Sequence, residues 1–206
     1  MVLGIDFLLT ALVVVIAPGT GVIYTVATGL AHGPRASAAA AAGCTLGIVP
    51  GALAAILGLA ALVHASALLF QAVKIAGVVY LLYLAWMTLT DRGPLRFDDN
   101  APTTRGLFQI ARAGFLINVL NPKLSIFFMA FLPQFIDAKA GGVALQMAGL
   151  TAVFMAMTLG VFLLYGFFAA QVRDGLRRRP AIMTWVRRTV AGAFAGFGLR
   201  LALAER

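Results

Sequence analysis

Two asparagines, a proline and a lysine stand close together in an otherwise apolar stretch, as Asn118 and Asn121-Pro122-Lys123. The stretch runs from about 113 to 136, which is long enough to cross a bilayer. A proline there removes a helix hydrogen bond and breaks the helix. A lysine at membrane depth costs about 2.5–3.5 kcal/mol on insertion scales. Two such unfavourable neighbours indicate a working site, which a simple anchor would not need.

The chemistry that these residues offer is the binding of an amino acid. A helix interrupted at membrane depth exposes backbone N–H groups at the start of its second half, and these groups attract a carboxylate. Asn118 and Asn121 are three residues apart and share a helix face. Their amides donate and accept hydrogen bonds, which suits an amine and a carboxylate. The alternative is that both asparagines only satisfy backbone groups that Pro122 frees.

A second break is predicted at Pro18-Gly19 in the first apolar stretch, with Thr20 at the start of its second half. Pro18 and Pro122 are 104 residues apart (122 − 18), about half of the 206-residue chain. Paired interrupted segments in corresponding positions are typical of transporter binding sites. We therefore predict that Pro18, Gly19 and Thr20 belong to the same site as Pro122. The alternative is that these prolines are ordinary, since membrane helices often contain them.

Lys74 is the second lysine predicted to lie inside the membrane. Facing inward it would meet a substrate carboxylate, whereas near the end of its span it would extend to the interface. Lys123 lies close to mid-span, where reaching the interface is harder. Two lysines repel a cationic substrate, which favours neutral amino acids. Asp6 is the only acid in a predicted span and lies near its outer start, so no proton carrier stands out.

The elements that must position these residues are membrane helices. The chain is 62% hydrophobic and 11% charged, which predicts an all-α polytopic membrane protein with one transporter domain over 1–206. No basic start precedes the first apolar run, so we expect that run to be retained and not cleaved as a signal peptide. Six spans of about 20 residues or more are predicted. They cover about 3–30, 36–63, 66–90, 111–136, 142–170 and 186–204.

Arginines predict the orientation, because positive loops favour the cytoplasm. They concentrate in the first, third and fifth predicted loops, at Arg35, Arg92, Arg96, Arg105, Arg112, Arg173, Arg177, Arg178, Arg179, Arg187 and Arg188. Both termini should then be periplasmic. The third loop, about 91–110, separates repeats of about 1–90 and 111–206. With three spans each, these repeats insert in opposite directions as an inverted repeat, the first helix of each being broken at proline.

The sequence lacks the motifs that are typical of several other classes of function. No basic face of a soluble module points to nucleic acid, and Cys44, the single cysteine, excludes an internal disulfide. Neither metal-ligand spacing nor the GxSxG, HExxH or Walker motifs occur, so we expect no enzyme, metal or cofactor. The small residues of the second span recur every four positions and predict close helix packing. They are Ala39, Gly43, Gly47 and Gly51.

Three blocks resemble the lysine-exporter (LysE) family, especially its homoserine/threonine exporter branch. They are Pro18-Gly19 with Gly29 and His32-Gly33-Pro34-Arg35, the third-span run from Lys74 to Leu84, and the fourth-span run from Gly114 to Lys123 with Phe131-Leu132-Pro133-Gln134-Phe135. The family commonly has Pro-Gly-Pro, and here Thr20 replaces the second proline.

This resemblance implies a secondary exporter of amino acids or close derivatives in the bacterial inner membrane, and it allows a homodimer. Together with the residues above, it favours a neutral substrate such as homoserine or threonine. Two alternatives stay open. One is an ion exporter or channel-like member of the wider superfamily, although acids or carbonyl rings at depth would favour that function. The other is a membrane scaffold that transports nothing.

Overall fold

The computed structural model describes residues 4–57, 67–90, 106–121, 123–124, 127–137, 140–177 and 180–203. All regular structure in these ranges is helical. The α-helices are α1 (Ile5–Ile16), α2 (Thr20–His32), α3 (Pro34–Leu46), α4 (Val49–Ile56), α5 (Ala67–Leu89), α6 (Leu107–Val119), α7 (Val143–Arg177) and α8 (Pro180–Leu203). A π-helical turn (Phe127–Phe131) and a 3-10 turn (Leu132–Phe135) follow α6. Pro122 and most of the predicted third loop lie outside the described residues.

The first span is broken where the sequence predicts it. α1 and α2 are both apolar but meet at a bend of 54°. The helix ends because Pro18 has no N–H to donate and its ring would clash with the carbonyl of Val14. The N–H of Ala17 closes α1 on the carbonyl of Val13. Two helix ends therefore face each other across three residues in the middle of one span.

The described helices support some of the six predicted spans by their length and composition. Within the described ranges, Pro34–Ile56 and Val143–Arg173 are long and apolar enough to cross a membrane, and the bent pair α1–α2 is a third when it is counted as one span. Val78–Leu89, the second half of α5, and Leu107–Val119 are shorter apolar segments. The segment between the fifth and sixth predicted spans is largely helical. α7 continues to Arg177 and α8 begins at Pro180, since arginine is a good helix former.

Packing brings the two halves of the chain together. α2 packs against α7, α3 against both α6 and α7, and α5 against α8. The small-residue prediction is confirmed for Gly43 and Gly47, because a Cβ on either would overlap the backbone of α6. A Cβ on Gly114 of α6 would in turn lie 2.8 Å from the Ala40 carbonyl oxygen. For Gly51 the prediction is not confirmed, since no atom of the described residues lies within 4 Å of an added Cβ.

The second span is kinked between α3 and α4. Pro50 has no N–H, and the N–H of Ile48 bonds to the carbonyl of Thr45 at 3.1 Å. Ile48 would be the regular helical donor for Cys44, four residues earlier. The carbonyl of Cys44 is therefore available to a donor from another helix, at a buried position beside α6.

Candidate functional site

Lys123 connects the two halves at the break in the first span. Its Nζ donates hydrogen bonds of 2.9 Å to the carbonyls of both Val14 and Ala17. These carbonyls belong to the C-terminal end of α1, which carries the partial negative charge of the helix dipole. The hydroxyl of Tyr165 donates to the neighbouring Ile16 carbonyl at 3.2 Å. The end of α1 therefore receives a cation and a hydroxyl from the second half.

The two asparagines form a chain of hydrogen bonds beside this lysine. Asn118 Nδ2 donates to the Cys44 carbonyl at 2.7 Å, which satisfies the group freed by the kink. Asn121 Nδ2 donates to Asn118 Oδ1 at 3.2 Å. Asn121 Oδ1 accepts the backbone N–H of Lys123 at 3.1 Å. Each side chain thus bonds one backbone group, but the partner of Asn118 is in α3 and is not a group that Pro122 frees. Each NH2 group keeps a second hydrogen.

The start of α2 lies directly across the break. Gly19 is extended, and its carbonyl accepts the N–H of Ile23 at 3.0 Å. The N–H groups of Thr20, Gly21 and Val22 precede Ile23, the first helical donor, so they are the donors that a helix start leaves open. Thr20 is 2% exposed, and its hydroxyl has no hydrogen-bond partner in the described part of the chain. A buried unpartnered hydroxyl costs about 1–3 kcal/mol, which marks an unusual position.

A narrow cleft lies between these groups. It is lined by Val14, Val15, Gly19, Gly21, Val22, Asn118, Asn121, Lys123, Leu124, Phe154, Thr158 and Phe162. Gly19, Asn118, Asn121 and Lys123 contribute polar groups to the lining. The aromatic rings of α7 and the valines of α1 and α2 supply an apolar surface. The cleft therefore combines groups for both ends of a zwitterion with a surface for an apolar side chain.

The predicted site residues fall into three groups. Gly19, Asn118, Asn121 and Lys123 line the cleft. Pro18 and Thr20 belong to the break itself, outside the cleft lining. Pro122 and the side chain of Lys74 lie outside the described residues, although the backbone of Lys74 belongs to α5.

Three residues of α7 also line the cleft and were not predicted. Phe154, Thr158 and Phe162 stand four residues apart and share one face of the helix. That spacing was available in the sequence, but nothing in it pointed to the break in the first span, because the contact between α7 and α2 is a feature of the tertiary fold.

Replacing Gly21 with alanine is expected to lower transport about tenfold or more and to destabilise the protein by about 1–3 kcal/mol. The new Cβ would lie 2.7 Å from Asn118 Oδ1 and 3.0 Å from the Phe162 ring. Asn118 cannot move aside without breaking its bonds to Cys44 and Asn121. Flux per inserted protein and the melting temperature measure the two effects.

Gly160→Ala is the matched control, because a Cβ there meets nothing within 4 Å. It should retain wild-type flux and gain slightly in helix propensity. Wild-type flux in Gly21→Ala would show that the close approach of α2 to Asn118 has no role in transport.

Comparison with known proteins gives a match over nearly the whole chain. The family model described as "LysE type translocator" matches residues 12–205. An uncharacterised membrane protein of Vibrio cholerae is 34% identical over 97% of this chain and 96% of its own length. A leucine efflux protein of Klebsiella pneumoniae is 28% identical over 96% and 93%, respectively. A homoserine/homoserine lactone efflux protein of Salmonella typhi is 33% identical over 63% of each chain. No solved structure matches significantly.

Proposed function

This chain belongs to the LysE type translocator family, and from that premise we propose that it is a secondary transporter that exports neutral amino acids or close derivatives from the bacterial cytoplasm. The single observation that carries the proposal is the junction of the two breaks. There, Lys123 of the second half reaches the open carbonyl end of α1 beside the open amide end of α2.

The chemistry of the cleft favours a zwitterion with an uncharged side chain. The amides at the start of α2 suit a carboxylate, and Lys123 adds one positive charge beside them. The surface formed by Val22, Phe154 and Phe162 suits an apolar or small neutral side chain. Relatives are named for efflux of leucine, which has an apolar side chain, and of homoserine, which has a small neutral one. Leucine and homoserine or threonine are accordingly our first candidates.

The proposed architecture is six spans in two inverted repeats, with the site between the first spans of the two halves. The packing supports it. If the halves are exchanged, the contact of the first span with the fifth becomes the contact of the fourth span with the second, and both are present, as α2 with α7 and as α6 with α3. The pair α5–α8 would then relate corresponding third spans. In the orientation that the arginine-rich segments favour, both termini are periplasmic and the membrane is the inner one.

Efflux from proteoliposomes tests this function. Vesicles that contain the purified chain are loaded with labelled leucine, threonine or homoserine, and efflux is compared with protein-free vesicles. We expect saturable efflux of at least one of these amino acids. A family likeness also allows a homodimer, and the size of the detergent-solubilised protein tests that separately.

The same vesicles separate the rival functions. Ion conductance without amino-acid flux would favour an ion exporter or channel-like protein, for which the carbonyls of Val14 and Ala17 are the available cation ligands. Absence of both amino-acid flux and ion conductance would favour a scaffold. Either result contradicts the proposed exporter.

A further inference from the structure

The end of α1 is a cation site that already has an occupant. Two backbone carbonyls, those of Val14 and Ala17, each lie 2.9 Å from one ammonium group, that of Lys123. Nζ also lies close to the start of α2, since a Cβ on Gly19 would be 3.1 Å from it. A lysine ammonium and the α-ammonium of an amino acid have the same charge and the same three donor hydrogens. The pair of carbonyls that binds the lysine ammonium therefore has the right chemistry to bind an α-ammonium.

We propose that Lys123 occupies the subsite for the substrate's α-ammonium when no substrate is bound, and that substrate displaces it. This inference rests on the proposed function. In the bound state the α-ammonium takes the carbonyls of Val14 and Ala17. The substrate carboxylate then lies between the amides at the start of α2 and the displaced Nζ of Lys123.

The exchange keeps every charge in the cleft paired. A zwitterion brings one ammonium and one carboxylate, so the net charge of the cleft does not change. The carbonyls lose one ammonium and gain another, while Lys123 exchanges carbonyl dipoles for a carboxylate. Leaving a buried charge unpaired is strongly unfavourable, and charge-assisted hydrogen bonds are the strong ones. Replacement of Lys123 at the carbonyls therefore needs the substrate's ammonium, and re-pairing of Lys123 needs the substrate's carboxylate.

Selectivity for the zwitterion follows. A carboxylate without an ammonium would displace Lys123 and leave two carbonyls without a donor. An amine without a carboxylate would displace Lys123 and leave its charge unpaired. Lys123 thus acts as a specificity-determining residue that admits a substrate only when both groups are present. The lysine stem is long and flexible enough for this movement, and the side chain is only partly buried.

A vacated subsite gives the first test. In Lys123→Met the carbonyls of Val14 and Ala17 lose their donor, so propylammonium should bind there and raise the melting temperature. We expect the variant to respond at a concentration at least about tenfold lower than wild type does. Tyr165→Phe is the matched control, because it removes the donor to Ile16 and leaves Lys123 in place. It should respond as wild type does. Equal responses in all three proteins would overturn the inference.

A second test uses wild type alone and does not depend on how the variant folds. Leucine and 2-hydroxy-4-methylpentanoate share a carboxylate and a side chain, and only leucine has an ammonium. We expect leucine, or whichever neutral amino acid the efflux assay identifies, to stabilise wild type at a concentration at least about tenfold lower than its hydroxy acid. Equal stabilisation overturns the displacement of Lys123 but leaves the exporter standing. Absence of amino-acid binding and flux overturns both proposals.

Discussion

Replacement of Lys123 with methionine is expected to lower saturable amino-acid flux by roughly 10- to 150-fold, because a charge-assisted hydrogen bond contributes about 1.5–3 kcal/mol. Methionine keeps most of the stem length and its apolar contacts. In the proposed bound state the substrate carboxylate loses its positive partner, while the amides at the start of α2 remain. Flux is measured in proteoliposomes at equal inserted protein, so that differences in yield do not enter.

The same substitution also destabilises the protein. The partly buried carbonyls of Val14 and Ala17 lose their donor, and leaving such a group unsatisfied costs up to about 1–3 kcal/mol. Tyr165→Phe separates this effect from the loss of charge, because it frees the Ile16 carbonyl at the same helix end. We expect this control to lose stability and to keep flux within a few-fold of wild type. Flux in Lys123→Met within twofold of wild type would remove Lys123 from the mechanism.

Replacement of Gly43 with alanine is expected to lower the free energy of unfolding by about 1–3 kcal/mol or more. The added Cβ would overlap the backbone of Ala111, so α3 and α6 must separate. The backbone of Ala111 cannot relieve the overlap by changing rotamer, as a side chain could. The separation would also strain the bond from Asn118 to Cys44.

Gly51→Ala provides the matched control in the same span, since nothing lies within 4 Å of its added Cβ. Alanine there should be neutral or should stabilise by up to about 1 kcal/mol through helix propensity. Thermal unfolding in detergent measures both variants. Equal shifts would mean that the stripe of small residues does not hold α3 against α6.

The sequence alone predicts the features that a single residue determines. Pro18 disrupts the interior of a helix because it lacks an N–H and its ring clashes with the carbonyl four residues earlier, and the break is present. Gly43 and Gly47 predict close packing without naming the partner helix. The block around Lys123 predicts a charged group at a break, but it does not predict that this group would bond to the end of α1.

The remaining features depend on contacts between distant segments. Lys123 is 109 residues from Val14, and no local pattern specifies that pairing. Phe154 and Phe162 line the cleft only because α7 lies against α2. The fifth predicted loop is largely helical because the loop was placed by charge, whereas arginines at helix ends continue the helix and remain polar.

Photolabelling with a diazirine analogue of leucine tests most directly whether the amino acid binds at the junction of the two breaks. The labelled protein is digested and the modified peptides are identified by mass spectrometry, with excess leucine as competitor. We expect protectable labels on the segments that line the cleft, at 14–22, 118–124 and 154–162. Protectable labels confined to other segments, with these three unmodified, would contradict a substrate site at this junction.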